Sequence, residues 1–326
     1  MSGPGRSERE GISLAELFDM FPDDEAAERW FEEQRWPGGR RFCPDCGSER
    51  YSIVKNRKPM PYRCKDCRKH FSVQKGTVMQ SSSLGLKNWA IAIYQMCTGI
   101  KGTSSMSLHR DLKITQASAW FMMQRIREGF LEGENRPMPG PVEADETYIG
   151  GKEKNKHAKK KLRAGRGPVG KTAVAGVKDR STKRVRAKVV KSTDKPTLQG
   201  FVTEHTAPDA TVYTDESSSY EGLPFKHETV KHSTGEYVRE MVHVNGIESF
   251  WALMKRGYVG IYHKMSPKHL NRYVTEFEGR HNVRGLDTRD QMEQLAKGMT
   301  SRRLTYEDLI EPNGLASGAR PLSVDS

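Results

Sequence analysis

No apolar run in this 326-residue chain approaches the roughly 20 residues that a membrane-crossing helix needs. The opening residues, Met1 to Arg6, lack the apolar core of a secretory leader. Cysteine is scarce: there are five, four of them in two close pairs. That usage fits a reducing compartment and a metal site better than a disulfide framework. No internal repeat of solenoid length is visible. Acids are also in short supply, 41 Asp and Glu against 54 Lys and Arg, which leaves a formal charge of +13 and a pI near 9.5. Such a balance points to a polyanionic partner, nucleic acid before membrane. The length allows two or three domains with at least one sizeable core.

The first part of the chain is short helices and a knuckled loop. Residues 1–11 are expected to be disordered. Ser13 to Phe21 and Asp23 to Gln34 read as helices, with Asp24 able to cap the second and Ala26, Ala27, Trp30 and Phe31 as its apolar stripe. Trp36 to Gly39 ends it. Cys43 and Cys46, then seventeen residues, then Cys64 and Cys67 give two knuckles that can close a tetrahedral zinc site. A redox dithiol would need only one pair and a βαβ setting. Aromatic and basic neighbours such as Phe42, Tyr62, Arg63 and Phe71 suit a zinc ribbon, and His70 is a conceivable further ligand. Cys97 falls in an apolar helical pattern and is read as core.

Leu86 to Thr98 has helical periodicity and ends at Gly99. Gly102 to Leu112 and Thr115 to Phe130 read as two helices around a tight turn, with Thr115 as N-cap. This segment has helix-turn-helix character: Gln116 and Ser118, with Gln124, would reach DNA, and Arg125 and Arg127 would lie near phosphates. An ordinary helical hairpin is the alternative. Glu132 to Pro141, rich in proline and glycine, is a linker.

Beyond it the pattern turns to strands: Val142–Ile149, Thr172–Lys178 and Val185–Lys191, the last two joined by a hairpin turn. Thr197 to Glu204 reads as a helix and Ala210–Thr214 as a short strand. Carboxylates on a strand that should be buried are costly unless they are paired or hold a metal, so Asp145 stands out. Alternation places Glu143, Asp145 and Thr147 on one face and Ala144, Glu146 and Tyr148 on the other. Asp215 directly follows the fourth strand. The β-β-β-α-β order, with acids on the first and fourth strands, is that of an RNase H-like nuclease domain. Between the first two strands, residues 152–171 hold nine Lys or Arg and one Glu. This run, with Lys159, Lys160, Lys161, Arg163 and Arg166, reads as a phosphate-binding loop, against the plainer reading of a solvated charge run. Asn245 to Arg256 is an amphipathic helix with Ile247, Phe250, Trp251 and Met254 on its apolar face. Asn245, Glu248 and Lys255 share another stripe, where Glu248 would face metal and Lys255 and Arg256 phosphate.

Taken together these pieces resemble bacterial insertion-sequence transposases of the DDE type. The residues that carry the resemblance are Phe21 to Glu25 leading to Arg35-Trp36-Pro37, the cysteine knuckles, Asp145 to Gly151, and Tyr213-Thr214-Asp215. They continue through His243 to Trp251, Lys255 to Gly257, Gly260 to His263, Arg272 to Phe277 and Arg280 to Asn282, so that the likeness spans roughly residues 15–285. The resemblance implies a multidomain α/β protein: a helical segment (1–38), a zinc ribbon (39–75) and a helix-turn-helix-like DNA-binding region (84–131). A linker (132–141), an RNase H-like, retroviral-integrase-type catalytic domain (142–285) and a C-terminal helix with a disordered tail (286–326) complete it. It implies Asp145 and Asp215 as the first two catalytic acids and Glu248 as the third, with Asn245 as rival. Glu248 is preferred because Lys255 lies seven residues on, the Glu-to-Lys spacing of DDE enzymes. Two Mg²⁺ (or Mn²⁺) ions at the acids and one structural Zn²⁺ are implied. So is a bacterial cytoplasmic, nucleoid-associated protein with no membrane partner. It would bind the terminal inverted repeats of an insertion sequence in double-stranded DNA, cleave 3′ ends and join them to target DNA. Pairing two transposon ends implies a homodimer or higher oligomer. A non-catalytic zinc-ribbon DNA-binding protein and a structure-selective nuclease of the same fold are the alternatives.

Overall fold

The computed structural model describes residues 9–131, 136–151, 161–162, 168–230 and 244–317. They form two compact units, one from the described residues of 1–131 and 283–311, the other from those of 132–282 and 312–326.

The first unit begins with α1 (Leu14–Met20), opened by a capping box between Ser13 and Glu16, and α2 (Asp24–Arg35). Asp23, not Asp24, caps α2, its Oδ1 accepting the Ala26 N–H at 2.8 Å. Asp24 serves the next long helix instead, accepting the Lys87 N–H at 2.8 Å. Sequence spacing could not separate the two acids, because the second acts across 63 residues. Strands β1 (Tyr51–Ile53), β2 (Tyr62–Cys64) and β3 (His70–Phe71) make a small antiparallel sheet. The Tyr62 hydroxyl, donating to Glu32 at 2.6 Å, ties this sheet to α2. Helices α3 (Leu86–Thr98), α4 (Ser105–Leu112) and α5 (Gln116–Glu128) follow. Lys113 turns α4 into α5 in the left-handed conformation, and the Thr115 side chain caps α5 by accepting the Ser118 N–H. Cys97 is buried in this unit's core, as its pattern implies.

The second unit is a mixed sheet covered on both faces. It contains β4 (Val142–Ile149), β5 (Thr172–Asp179), β6 (Val185–Val189), α6 (Lys195–His205), β7 (Thr211–Thr214), β8 (Lys226–Thr229), α7 (Asn245–Gly257) and α8 (Leu270–Asn282). The strand order is β6-β5-β4-β7-β8. Strands β4, β5 and β6 pair antiparallel, whereas β7 lies parallel to both β4 and β8. Alternate residues feed two cores. Val142, Ala144, Ala175 and Val177 pack with Leu198 and Phe201 of α6. Val174, Val185 and Tyr213 pack with Ile247, Phe250 and Trp251 of α7 and with α8. Asp145 is in register with Gly176, where a Cβ would meet the Trp251 ring at 2.5 Å. The fifth strand is invisible in the sequence: Lys226, His227, Glu228 and Thr229 have no apolar alternation, as an edge strand permits.

The chain then re-enters the first unit. Helix α9 (Thr288–Gly298) buries Met292, Leu295 and Ala296 in the core formed with α2, α3 and α5, and α10 (Tyr306–Ile310) follows. None of the described helices is long and apolar enough to cross a membrane.

Candidate active site and metal centre

Two clusters of metal-type ligands were expected, one of sulfur and one of oxygen. The sulfur cluster is the tighter. Cys43, Cys46, Cys64 and Cys67 bring their Sγ atoms within 4.8 Å of one another, with Cys43 to Cys67 and Cys46 to Cys64 each at 3.6 Å. A zinc ion bound at about 2.3 Å to each sulfur would set tetrahedral edges of about 3.8 Å, so the four thiols fit it. Cys64 and Cys67 flank a turn whose backbone N–H groups, from Cys67 and Asp66, lower the Cys64 thiol to about 7 against the opposing push of burial. His70 is no part of the cluster; it sits on β3, paired with Arg63.

The carboxylates gather at the second unit's sheet. Asp145 projects from β4, Asp215 follows the end of β7, and Glu248 stands exposed in the first turn of α7. Burial pushes the Asp145 carboxyl up to about 7, and the charges of Glu146, Asp215 and Glu248 add to the rise. The oxygens of Asp145, Asp215 and Glu248 do not draw within 4.8 Å of one another as the sulfurs do among the described residues. Asn245, the first residue of α7, is likewise exposed. Glu146 faces the other way: its Oε2 accepts the hydroxyl of the buried Tyr220 at 2.8 Å, and burial raises its pKa. The turn holding Asp215 is thereby tied to β4. Glu143, the same-face neighbour of Asp145, is committed elsewhere, to Arg180 and to the start of α7.

The basic residues divide three ways. Lys255 and Arg256 are exposed near the end of α7. Lys161 is exposed, whereas Lys159, Lys160, Arg163 and Arg166 lie outside the described residues. Gln116 is exposed at the start of α5, its Nε2 donating to Ser105 Oγ at 3.0 Å; Ser118 is half-buried against the Thr115 cap. Arg125 and Arg127 are not near the surface, contrary to expectation. They are 5% and 2% exposed. Arg125 donates to the Gln80 carbonyl and lies 5.2 Å from the Trp89 and Phe121 ring centroids, and burial lowers it to about 10. Periodicity gave α5 one buried face, but Met122 to Arg127 are enclosed throughout, which leaves these cations no path to a phosphate. Gln124 is buried as well.

Missed by sequence reasoning were the partners that hold this site: Arg180, Lys178 and Tyr220. Gly246, a glycine in the first turn of a helix, was the available signal of a close approach.

Comparison with known proteins agrees with both halves. Residues 22–70 match the transposase zinc-ribbon domain family, and residues 137–282 match the ISXO2-like transposase domain family. A protein of the transposable element ISH50 from Halobacterium salinarum is 30% identical over 282 residues, covering 81% of this chain and 92% of that protein. A transposase-like protein from Haemophilus influenzae is 31% identical over 119 residues, 35% of this chain and 95% of that one. With its cysteine knuckles, its acid-bearing sheet and a relative matched over nearly its whole length, the chain belongs to the insertion-sequence transposases with an N-terminal zinc ribbon.

Proposed function

We propose that the second unit is an RNase H-like catalytic domain of the DDE type. It would cut 3′ ends at the terminal inverted repeats of an insertion sequence and join them to target DNA. The observation that carries this reading is the buried Asp145 carboxyl on β4, raised to about 7 by burial first, with the charges of Asp215 after β7 and Glu248 on α7 among those that add to the rise. The sheet order, three antiparallel strands followed by two parallel ones, supports the RNase H-like assignment. Mutually repelling carboxylates that offer only hard oxygen donors suit Mg²⁺ or Mn²⁺. Asp145, Asp215 and Glu248 would hold the ions. Two ions so held would supply the Lewis acidity for phosphoryl transfer.

The protein's own side chains do the rest. Asp145 comes from β4 and Asp215 is the residue after the neighbouring β7, so the sheet would set their spacing before DNA arrives. Glu248 is preferred to Asn245 as third ligand because its charge already acts on Asp145. Lys255 and Arg256, exposed two turns further along α7, would take the phosphates that flank the cut, and the basic run at 152–171 would add contacts. Recognition of the repeats falls to the zinc ribbon and to the start of α5 around Gln116 and Ser118. DNA with two ends to be paired calls for at least a dimer.

The test is to incubate the full chain with Mg²⁺ or Mn²⁺ and a labelled duplex bearing the element's terminal repeat. Nicked and joined products are expected, falling to background in Asp145→Asn and Asp215→Asn. Glu248→Gln should lose far more activity than Asn245→Ala. Undiminished activity in either aspartate variant would overturn the assignment. Cleavage of branched DNA without joining would mark a structure-selective nuclease instead.

A further inference from the structure

Glu143 lies two residues before Asp145 on β4, so both side chains leave the same face of the sheet. Its carboxylate is buried, at 1% exposure, yet it makes no part of the acid cluster. Oε1 accepts the Arg180 Nε–H at 2.7 Å, and Oε2 accepts the Ile247 backbone N–H at 2.7 Å. Ile247 belongs to the first turn of α7, whose N-cap residue, Val244, has no side-chain acceptor to offer. The first amides of a helix lack intrahelical partners and carry partial positive charge, which an anion satisfies. Here the anion comes from a strand rather than from the helix's own cap.

Two further contacts and a close approach converge on the same point. Lys178 Nζ donates to the Gly246 carbonyl at 2.9 Å. The Arg180 guanidinium lies 4.3 Å from the centroid of the Tyr213 ring, and Tyr213 is the register partner of Glu143 on β7, two residues before Asp215. At Gly246 a Cβ would stand 2.6 Å from Glu143 Oε2 and 3.0 Å from Lys178 Nζ, so any larger residue here would have to displace the Glu143 carboxylate. The Glu143–Arg180 pair therefore touches β4, β7 and α7, the three elements that carry the acids. A buried ion pair is a poor way to gain stability compared with apolar packing of equal volume, but it fixes direction and register where packing alone would let a helix slide.

We propose that Glu143, with Arg180, is a positioning residue of the acid site: it locks the first turn of α7, which carries Glu248, against the strands that lead to Asp145 and Asp215. The inference rests on the reading of those three acids as the catalytic set.

Two variants of the full chain test it. Glu143→Gln keeps the shape and an acceptor but drops the charge, and Gly246→Ala pushes Glu143 aside without altering it. In both, amide hydrogen exchange in residues 244–257 should quicken about 10-fold, while residues 172–179 of β5 exchange as in the wild type. Cleavage of the terminal-repeat duplex should show kcat lowered about 10- to 100-fold, the usual cost of losing a group that orients ligands, with KM for DNA changed less than about twofold. Unchanged exchange over 244–257 would overturn the proposal. So would equal quickening in β5, or unchanged kcat despite a loosened helix, because each marks a role in stability alone. A wild-type chain that cleaves no DNA would sink the catalytic reading by itself. The exchange comparison would then still decide whether Glu143 anchors α7, faster exchange in both variants supporting the anchor and unchanged exchange refuting it.

Discussion

Asp179, at the end of β5, is wholly buried and surrounded by donors. Its Oδ1 accepts the Ser181 hydroxyl at 2.6 Å and the Thr182 N–H at 2.7 Å, and its Oδ2 accepts the Gly140 N–H at 2.7 Å. Burial works to raise its pKa, but the donors of Ser181, Thr182 and Gly140 outweigh it and the net shift is downward. A depressed folded pKa contributes stability that is fully present above the unfolded value, about 4, and is lost as pH falls through the folded one. Asp179→Ala should therefore cost about 1–3 kcal/mol at pH 7, the cost of unpaired buried donors. The gap to wild type should narrow in urea unfolding at pH 3.5; an equal gap at both pH values would rule the ionised form out as the source. In the sequence Asp179 showed only as a turn residue. Asp145 was legible because a carboxylate among apolar strand residues is anomalous, and the cysteines because knuckle spacing is local. Arg125 and Arg127 were misread because periodicity cannot tell a solvent-facing side from one covered by a second neighbour.

At the scale of elements, legibility follows how one-sided the burial is. Helices α3 and α7 and strand β4, with a clear apolar face or run, are readable in the sequence nearly to the residue. Helix α8 is not: Tyr273 to His281 are buried all round, and its charges, among them Glu276 and Arg280, blur any stripe. They are accommodated by partners distant in sequence, such as Arg186 on Glu278 at 2.8 Å and the Tyr262 hydroxyl on Glu276 at 2.6 Å. The packing of α7 on β4 and β5 depends on a missing side chain. With a Cβ at Gly176 only 2.5 Å from the Trp251 ring, Gly176→Ala has to push α7 outward. Overpacking of this kind costs about 1–3 kcal/mol. Denaturant unfolding should register the loss, and cleavage activity should fall with it because Glu248 rides on the displaced helix. A fully active Gly176→Ala protein would mean that α7 need not sit where it does.

On the scale of the whole molecule, chain order and core membership part company. The sequence places a C-terminal helix within 286–326 but carries no information about whose core receives it. Met292, Leu295 and Met299 fill the core of the first unit alongside Trp89 and Ile93. The backbone is tied there as well: the Thr288 N–H donates to the Glu10 carbonyl at 3.0 Å, and the Val78 N–H donates to the Met299 carbonyl at 3.1 Å. At Gly298 the chain runs so close to Gly129 that a Cβ would lie 2.2 Å from the Gly129 carbonyl oxygen. The ISXO2-like match ends at residue 282, where the first and longer stretch of the second unit ends, so the unit that carries the zinc ribbon is completed only after the acid-bearing sheet has been made. Leu295→Ala tests this arrangement, because truncating a buried leucine costs about 2–5 kcal/mol. Hydrogen exchange in α3 should quicken by the corresponding amount while β4 and β5, in a separate core, keep their protection. If the strands of the second unit loosened equally, the two cores would be unfolding as one, and the helix that closes the first unit would be holding both.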